Sequence, residues 1–363
     1  MKSFQCACGT RIFFNNSRCL TCGSELGYLP EPRVLEKVIL RQDGLFDTTH
    51  GPYRKCANHV EHGVCNWMVP EGDENELCQA CRLNNVIPDL SSEKNRALWA
   101  EVEGAKRRLI FTLHELHLPI IPKREDPEHG LAFDIMSSEG GFRVLTGHSE
   151  GLITLNLDEA DPSKRERMRM KLKERYRTLL GHFRHEIGHY YFETLVNSDE
   201  QRRRFREDFG DETVNYQSSL DRHYQEGPPP DWHLTYISAY ATMHPWEDWA
   251  ETFAHYLHIH DTLETARNYG LSPQRGKMLP AVSEEFTVEP ARPGWIEEWT
   301  ELSIALNALN RSMGLPDAYP FALTETVWKK LSFVGEMIHA YGDKPVEMDS
   351  DRISPIPHPV SVE

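Results

Sequence analysis

The sequence predicts an α+β fold: a mainly helical domain with a small antiparallel sheet, preceded by small modules stapled by metal ions. Three observations lead there. All eight cysteines lie between Cys6 and Cys81, in a stretch rich in Gly, Asn and Pro with only short apolar runs. Beyond residue 90 the chain turns to long segments of helical periodicity, and alternating apolar and polar residues are confined to about 131–157. With 363 residues and 39% hydrophobic side chains, the chain can fill one large core and a smaller one.

The first module needs its cysteines as ligands. Cys6-Ala7-Cys8 and Cys19-Leu20-Thr21-Cys22-Gly23 are two knuckles, each offering two thiolates, and together they close a tetrahedral Cys₄ zinc site. Cys56, Cys65, Cys78 and Cys81 form a second set, in which Cys78-Gln79-Ala80-Cys81 is the tight half. His59 and His62 lie within its loose half, so a histidine could replace a cysteine there. Both sets leave no open position and read as structural zinc. A disulfide framework is the weaker alternative, because Met1-Lys2-Ser3-Phe4-Gln5-Cys6 lacks the apolar run of an export signal. A catalytic thiol or redox pair is another. Residues 1–90 are thus expected to be a zinc-binding region.

The elements of the larger domain, 91–342, follow in order. Ser91 or Ser92 can cap a helix from about Glu93 to His117, with Leu98, Val102, Ala105, Leu109 and Leu113 along one stripe. Leu131–Ile135 and Phe142–Leu145 read as strands around a Glu139-Gly140-Gly141 turn, and Ile153–Leu157 as a half-buried strand. Asp161-Pro162 opens a long, charged helix to about Val196. The polar stretch 198–232 is expected to be a long loop with some helix. Helices are expected at about 233–242, 246–260, 295–313 and 324–341. The Pro-rich, acidic tail 343–363 reads as disordered.

Chemistry enters with His185-Glu186-Ile187-Gly188-His189. Histidines four apart on a helix share a face, so both imidazoles can reach one Zn²⁺. Glu186 lies beside that ion without binding it, where a carboxylate can take a proton from water and hand it to a leaving amine. Gly188 lets another element come close. A third ligand is required, and no histidine follows at the spacing other zinc-peptidase motifs use. The segment His244-Pro245-Trp246-Glu247-Asp248-Trp249-Ala250-Glu251-Thr252-Phe253-Ala254-His255 supplies carboxylates instead, with Glu247 and Glu251 on one helical face. Its Glu-x-x-Ala-Glu-x-Phe-Ala pattern resembles the second metal helix of gluzincin peptidases. That resemblance implies Glu247 as ligand and Glu251 as the partner orienting a ligand histidine; the reverse assignment stays open. Gluzincin-like folds place an edge strand beside the cleft, and Ile153–Leu157 is a candidate for it, or simply a core strand. For the oxyanion, His223, Tyr224, Tyr236, Tyr240 and His244 are candidates among which sequence does not choose. His182 and His255 lie near the metal helices as surface or supporting residues.

Taken together, Cys6-Ala7-Cys8-Gly9, Cys65-Asn66-Trp67, Cys78–Cys81, Ala105–Leu109, His185–Tyr190 and His244–His258 resemble a bacterial family of zinc-binding metallopeptidases with an N-terminal zinc-ribbon domain. The resemblance spans nearly the whole chain. It implies a gluzincin-like zincin domain behind zinc ribbons, and metal chemistry without a known substrate. The expected activity is hydrolysis of a peptide or amide bond by zinc-activated water, with one catalytic and two structural zinc ions. Competing readings are a zinc-ribbon adaptor with a vestigial zincin domain, and a zinc amidase or isopeptidase on a non-standard substrate. The net charge of −16 argues against nucleic acid as partner, and residues 1–55 are only mildly basic, with eight Lys/Arg against five Asp/Glu. A peptide or protein substrate is expected, and a partner bound through the ribbons is the other candidate. No stretch reaches the ~18–20 apolar residues of a membrane span. The expected location is the cytoplasm.

Overall fold

The computed structural model describes residues 2–138, 144–172, 177–271 and 294–342. Of the expected strand at Phe142–Leu145, Phe142 and Arg143 fall outside these residues and Val144 and Leu145 lie in no strand; the Glu139-Gly140-Gly141 turn and the tail from 343 fall outside.

The N-terminal region is built from short antiparallel pairs. Strands β1 (Phe4–Gln5) and β2 (Arg11–Ile12) form the first hairpin, β3 (Leu26–Leu29) and β4 (Val34–Lys37) the second. Next come β5 (Ile39–Leu40), β6 (Phe46–Thr48) and β7 (Gly51–Lys55), then the single-turn α1 (Ala57–Val60) and β8 (Met68–Pro70); these four strands pair in sequence order. Elements this short bury little surface by themselves, which is the usual reason such modules need metal staples.

The chain then crosses into the larger body. Strand β9 (Asn84–Val86) precedes helix α2 (Glu93–Glu115), which Ser92 caps by accepting from the Asn95 amide. The expected stripe is largely buried: Val102, Ala105, Leu109 and Leu113 all face the core. Strands β10 (Ala132–Met136), β11 (Gly147–Ser149) and β12 (Leu152–Asn156) complete a four-stranded sheet in the order β11-β12-β10-β9. Its pairing differs from the antiparallel expectation. β10 runs parallel to both β12 and β9, and only β11–β12 is antiparallel. Parallel pairing needs a long crossover, and α2 supplies one between β9 and β10. The strand at 152–156 is therefore interior. The edge on the side of the metal helices is β11.

The expected single helix over 161–196 is two. Helix α3 (Pro162–Leu172) is followed by a fresh start at Thr178, whose side chain accepts from the Gly181 amide and caps α4 (Leu179–Leu195). Within 198–232 the chain is mostly helical: α5 (Asp199–Phe209) opens on a Ser198–Gln201 capping box, and α6 (Tyr216–Glu226) on Asn215. The expected helix at 233–242 is only two 3₁₀ turns, Trp232–Leu234 and Tyr240–Thr242. Helix α7 (Pro245–Asn268) has Pro245 in its first turn, where a missing N–H costs nothing; α8 (Gly294–Ser312) and α9 (Glu325–Gly342) close the fold.

Helices α4 and α7 pack against each other at the centre. Trp249 on α7 is fully buried, with Phe192, Phe205, Phe209, Phe253 and Phe333 at ring distances of 5.6–6.2 Å. Its indole donates to the Gly188 carbonyl at 2.8 Å, which pins the two helices beside the histidine motif. One continuous core runs from Cys6 to Ile338. No helix among the described residues is long and apolar enough to cross a membrane.

Candidate metal centre

Close approach of α7 to α4 begins at Gly188. A Cβ there would meet the Ala250 Cα at 3.1 Å and the Phe253 Cβ at 3.2 Å, so the missing side chain is what lets α7 lie against the motif. With the helices this close, His185 and His189 on α4 face Glu247 in the first turn of α7. Glu247 Oε2 lies 3.1 Å from His185 Nε2 and 3.4 Å from His189 Nε2, and the two imidazole nitrogens are 3.2 Å apart. Ligand atoms of a tetrahedral zinc ion at ~2.0–2.1 Å stand roughly 3.3 Å from one another.

The protons decide what such a triangle can hold. His185 Nδ1 lies 2.7 Å from Glu251 Oε1. A carboxylate only accepts, so Nδ1 carries the hydrogen, and in a neutral ring Nε2 then presents its lone pair. Three lone pairs converge on one point, an arrangement a cation stabilises. Without one, protons must take its place. Burial opposes a charge on His185, but the hydrogen bonds of Glu247 and Glu251 outweigh it and hold the imidazole well above its ordinary range. Burial likewise raises Glu247, and the histidines overcome it, drawing its carboxyl well below the usual range. The residues fit a divalent ion of borderline softness such as Zn²⁺. His185, His189 and Glu247 are one of three groups of potential metal ligands among the described residues.

The two histidines are steadied differently. His185 has Glu251. His189 Nδ1 finds no hydrogen-bond partner among the described residues, and its ring is held by Trp246, 3.8 Å between centroids, with His148 of β11 stacked beyond at 6.3 Å. Glu186 is buried next to this cluster; burial raises its pKa, and the charges of His185 and His189 pull it partly back.

The five oxyanion candidates separate in space. Tyr224 is exposed, Tyr236 lies under the Lys330 ammonium, and His244 caps α7 through Nδ1 while its Nε2 meets the Val214 carbonyl. His223 stacks edge-on against Tyr240, and Tyr240 is the one whose ring faces His185, at 6.1 Å. His182 stands by Glu159, and His255 bonds the Tyr319 hydroxyl. Tyr216 on α6 was not singled out from sequence. Its hydroxyl donates to Glu247 Oε1 at 2.7 Å. No local pattern marks it, since it sits in a polar stretch whose approach to α7 is set by tertiary packing.

Both cysteine sets assemble. Cys6, Cys8, Cys19 and Cys22 form one group, Cys56, Cys65, Cys78 and Cys81 the other, and neither includes a histidine. The Cys6–Cys22, Cys8–Cys19 and Cys65–Cys78 sulfurs are each 3.7 Å apart. A disulfide needs ~2.05 Å. Thiolates on one zinc ion at ~2.3 Å stand roughly 3.8 Å apart. Gly9 and Gly23, at φ 85° and 71°, turn the chain back at the first group's two knuckles. His59 instead directs Nδ1 at the Cys65 carbonyl, and His62 lies by Glu61.

Comparison with known proteins gives the family. Residues 95–337 match the family model described as "Putative zinc-binding metallo-peptidase", and residues 3–92 match a zinc-ribbon domain. Uncharacterized proteins of Mycobacterium bovis and Mycobacterium tuberculosis are 46% identical to the chain over 341 residues, covering 93% of it and 95% of each relative. No solved structure matches.

Proposed function

Since the chain belongs to this zinc-binding metallopeptidase family, with a zinc-ribbon domain ahead of it, we propose that it hydrolyses peptide bonds at a zinc site formed by His185, His189 and Glu247, with Glu186 as general base. The observation that carries this reading is the convergence of Oε2 and two Nε2 atoms at 3.1–3.4 Å. A zinc ion there polarises a carbonyl and acidifies water. The chain's own groups do the rest. Glu251 fixes the tautomer of His185 through Nδ1. The Glu186 carboxylate takes a proton from the attacking water and returns it to the amide nitrogen as the C–N bond breaks. Burial, by raising its pKa, brings that carboxyl nearer the working pH of a proton carrier. Tyr240, beside His185, is the proposed hydrogen-bond donor to the developing oxyanion.

The cysteine tetrads are proposed as two structural zinc sites, giving three ions per chain. All eight cysteines then serve as thiolates, which suits the reducing conditions of the cytoplasm. The test is Glu186→Gln. Zinc content should stay at three per chain while cleavage of a peptide library falls by at least ~10²-fold. A variant as active as the parent would overturn the reading. Absence of cleavage by the parent protein, with metal fully loaded, would favour the adaptor alternative.

A further inference from the structure

The two oxygens of Glu247 face different partners. Oε2 points at the histidine pair, at 3.1 and 3.4 Å. Oε1 accepts the Tyr216 hydroxyl at 2.7 Å. Glu247 is 2% exposed, so solvent is a poor substitute donor. Tyr216 is well placed to be firm. It begins α6 directly after the Asn215 cap, and its ring packs 5.3 Å from His244 and 6.0 Å from Trp246, the residues that flank the start of α7.

A carboxylate can give a metal one oxygen or both. A hydrolytic zinc site needs three protein ligand atoms and a position left for water or substrate. We propose that Tyr216 is a positioning residue for the metal centre: by holding Oε1, it limits Glu247 to one ligand oxygen and keeps that further position free. The inference rests on the reading of His185, His189 and Glu247 as the ligand set. It reaches beyond that reading because it gives α6, which no motif marks, a part in setting the metal's coordination. With the hydroxyl gone, Oε1 loses this donor while staying buried, and it can turn to the ion instead.

The test uses the full-length protein with its ribbon zincs in place, and cobalt(II) exchanged into the third site after mild chelation. Absence of sulfur-to-cobalt charge transfer shows that the ribbons kept zinc. Four-coordinate cobalt absorbs more strongly in the visible than five-coordinate cobalt. Tyr216→Phe should therefore show a weaker visible band than the parent, and zinc affinity at this site should fall about 10-fold or more. Tyr224→Phe, exposed on the same helix, should match the parent in both. A Tyr216→Phe spectrum and affinity equal to the parent's would overturn the role of Tyr216 and leave the ligand set standing. A Tyr216→Phe protein with altered helix content or melting temperature would also count against it, making the residue a structural one. Parent protein whose cobalt uptake is unchanged by His185→Ala would overturn both the ligand set and this inference.

Discussion

Glu247 and Glu251 stand one turn apart on α7, and His185 meets one with each of its nitrogens. That division gives them different expected phenotypes. Glu247→Gln replaces a charged ligand by a neutral amide and should empty the site of zinc. Glu251→Gln should keep the metal with affinity lowered by ~10–100-fold, because an orienting bond is weakened and no ligand is lost. Equilibrium zinc competition on the two variants checks this, and an occupied site in Glu247→Gln with an empty one in Glu251→Gln would reverse the roles. The histidines and both acids were legible in the sequence because helical spacing fixes which side chains share a face. Tyr216 and His148 were not legible as site neighbours, because they reach it from α6 and β11 through packing that no local spacing encodes. His114, far from this centre, offers a pH test. Burial, assisted by Arg33, pushes its pKa down to about 4 from an ordinary 6.5. The folded value lies below the unfolded one, so its contribution to stability is full above pH 6.5 and is lost as pH falls through about 4. Urea midpoints of the parent should drop more steeply across that window than those of His114→Gln; parallel curves would sink the assignment.

At the scale of elements, the seam between α4 and α7 turns on Gly188. An alanine there gains up to about 1 kcal/mol of helix propensity. It also drives a methyl against the α7 backbone at Ala250, which cannot rotate away as a side-chain tip can. Overpacking of that kind costs about 1–3 kcal/mol. The net expectation for Gly188→Ala is a lower melting temperature, and weaker zinc binding because the ligands sit on both sides of the seam. An unchanged melting temperature with full zinc affinity would show that the helices have room to spare. A second tie joins α7 to α9. Lys330 and Asp248 pair at 2.5 Å, both almost fully buried, and Lys330 also donates to the Thr235 carbonyl. Lys330→Met should destabilise the fold by about 3–5 kcal/mol by stranding Asp248, and Asp248→Leu in the same chain should recover part of that loss. Chemical denaturation of single and double variants measures both. Sequence periodicity located α2, α8 and α9 to within a few residues and the start of α7, which runs eight residues past the expected end at 260. It ran α3 and α4 together, since residues 163–180 hold no Gly or Pro and Thr178 is recognisable as a cap only once the chain is seen to turn there.

For the whole molecule, the cysteine-rich region and the helical body are joined more deeply than composition suggests. The composition shift near residue 90 is real, and the two family matches adjoin there, at 92 and 95. The packing does not divide at that point. Strand β9 follows Cys81 by three residues and lies parallel to β10 in the sheet of the larger body. In the reverse direction, α2 reaches back to the second tetrad. Arg107 donates to the Val64 carbonyl at 2.6 Å, and the nearby Cys65, Cys78 and Cys81 raise its pKa against the effect of burial. Glu103 lies by the Cys81 sulfur, and its fully buried partner Lys106 bonds Asn84 of β9 as well. A Cys₄ zinc centre would carry two negative charges, and Arg107 on α2 supplies a counter-charge to it while Lys106 balances Glu103. This coupling was invisible in the sequence because nothing in the local spacing of Lys106 and Arg107 says which distant residues they meet. It leads to a definite expectation. A chain begun at Ser91 loses β9, takes the Val64 carbonyl from Arg107 and leaves the Glu103–Lys106 pair without Asn84, and breaking up a buried charged network of this kind costs about 3–5 kcal/mol. Against a typical total stability of about 5–15 kcal/mol, that shortened chain should fail to fold cooperatively. In the intact chain, stripping zinc from the second tetrad should lower the melting temperature of the helical body along with the ribbons, whereas stripping only the His185–His189–Glu247 site should leave it within a few degrees. Calorimetry with graded chelation separates the cases: a shortened chain that melts cooperatively near the parent's temperature would mean that the body is self-sufficient and the ribbon contacts are incidental to its fold.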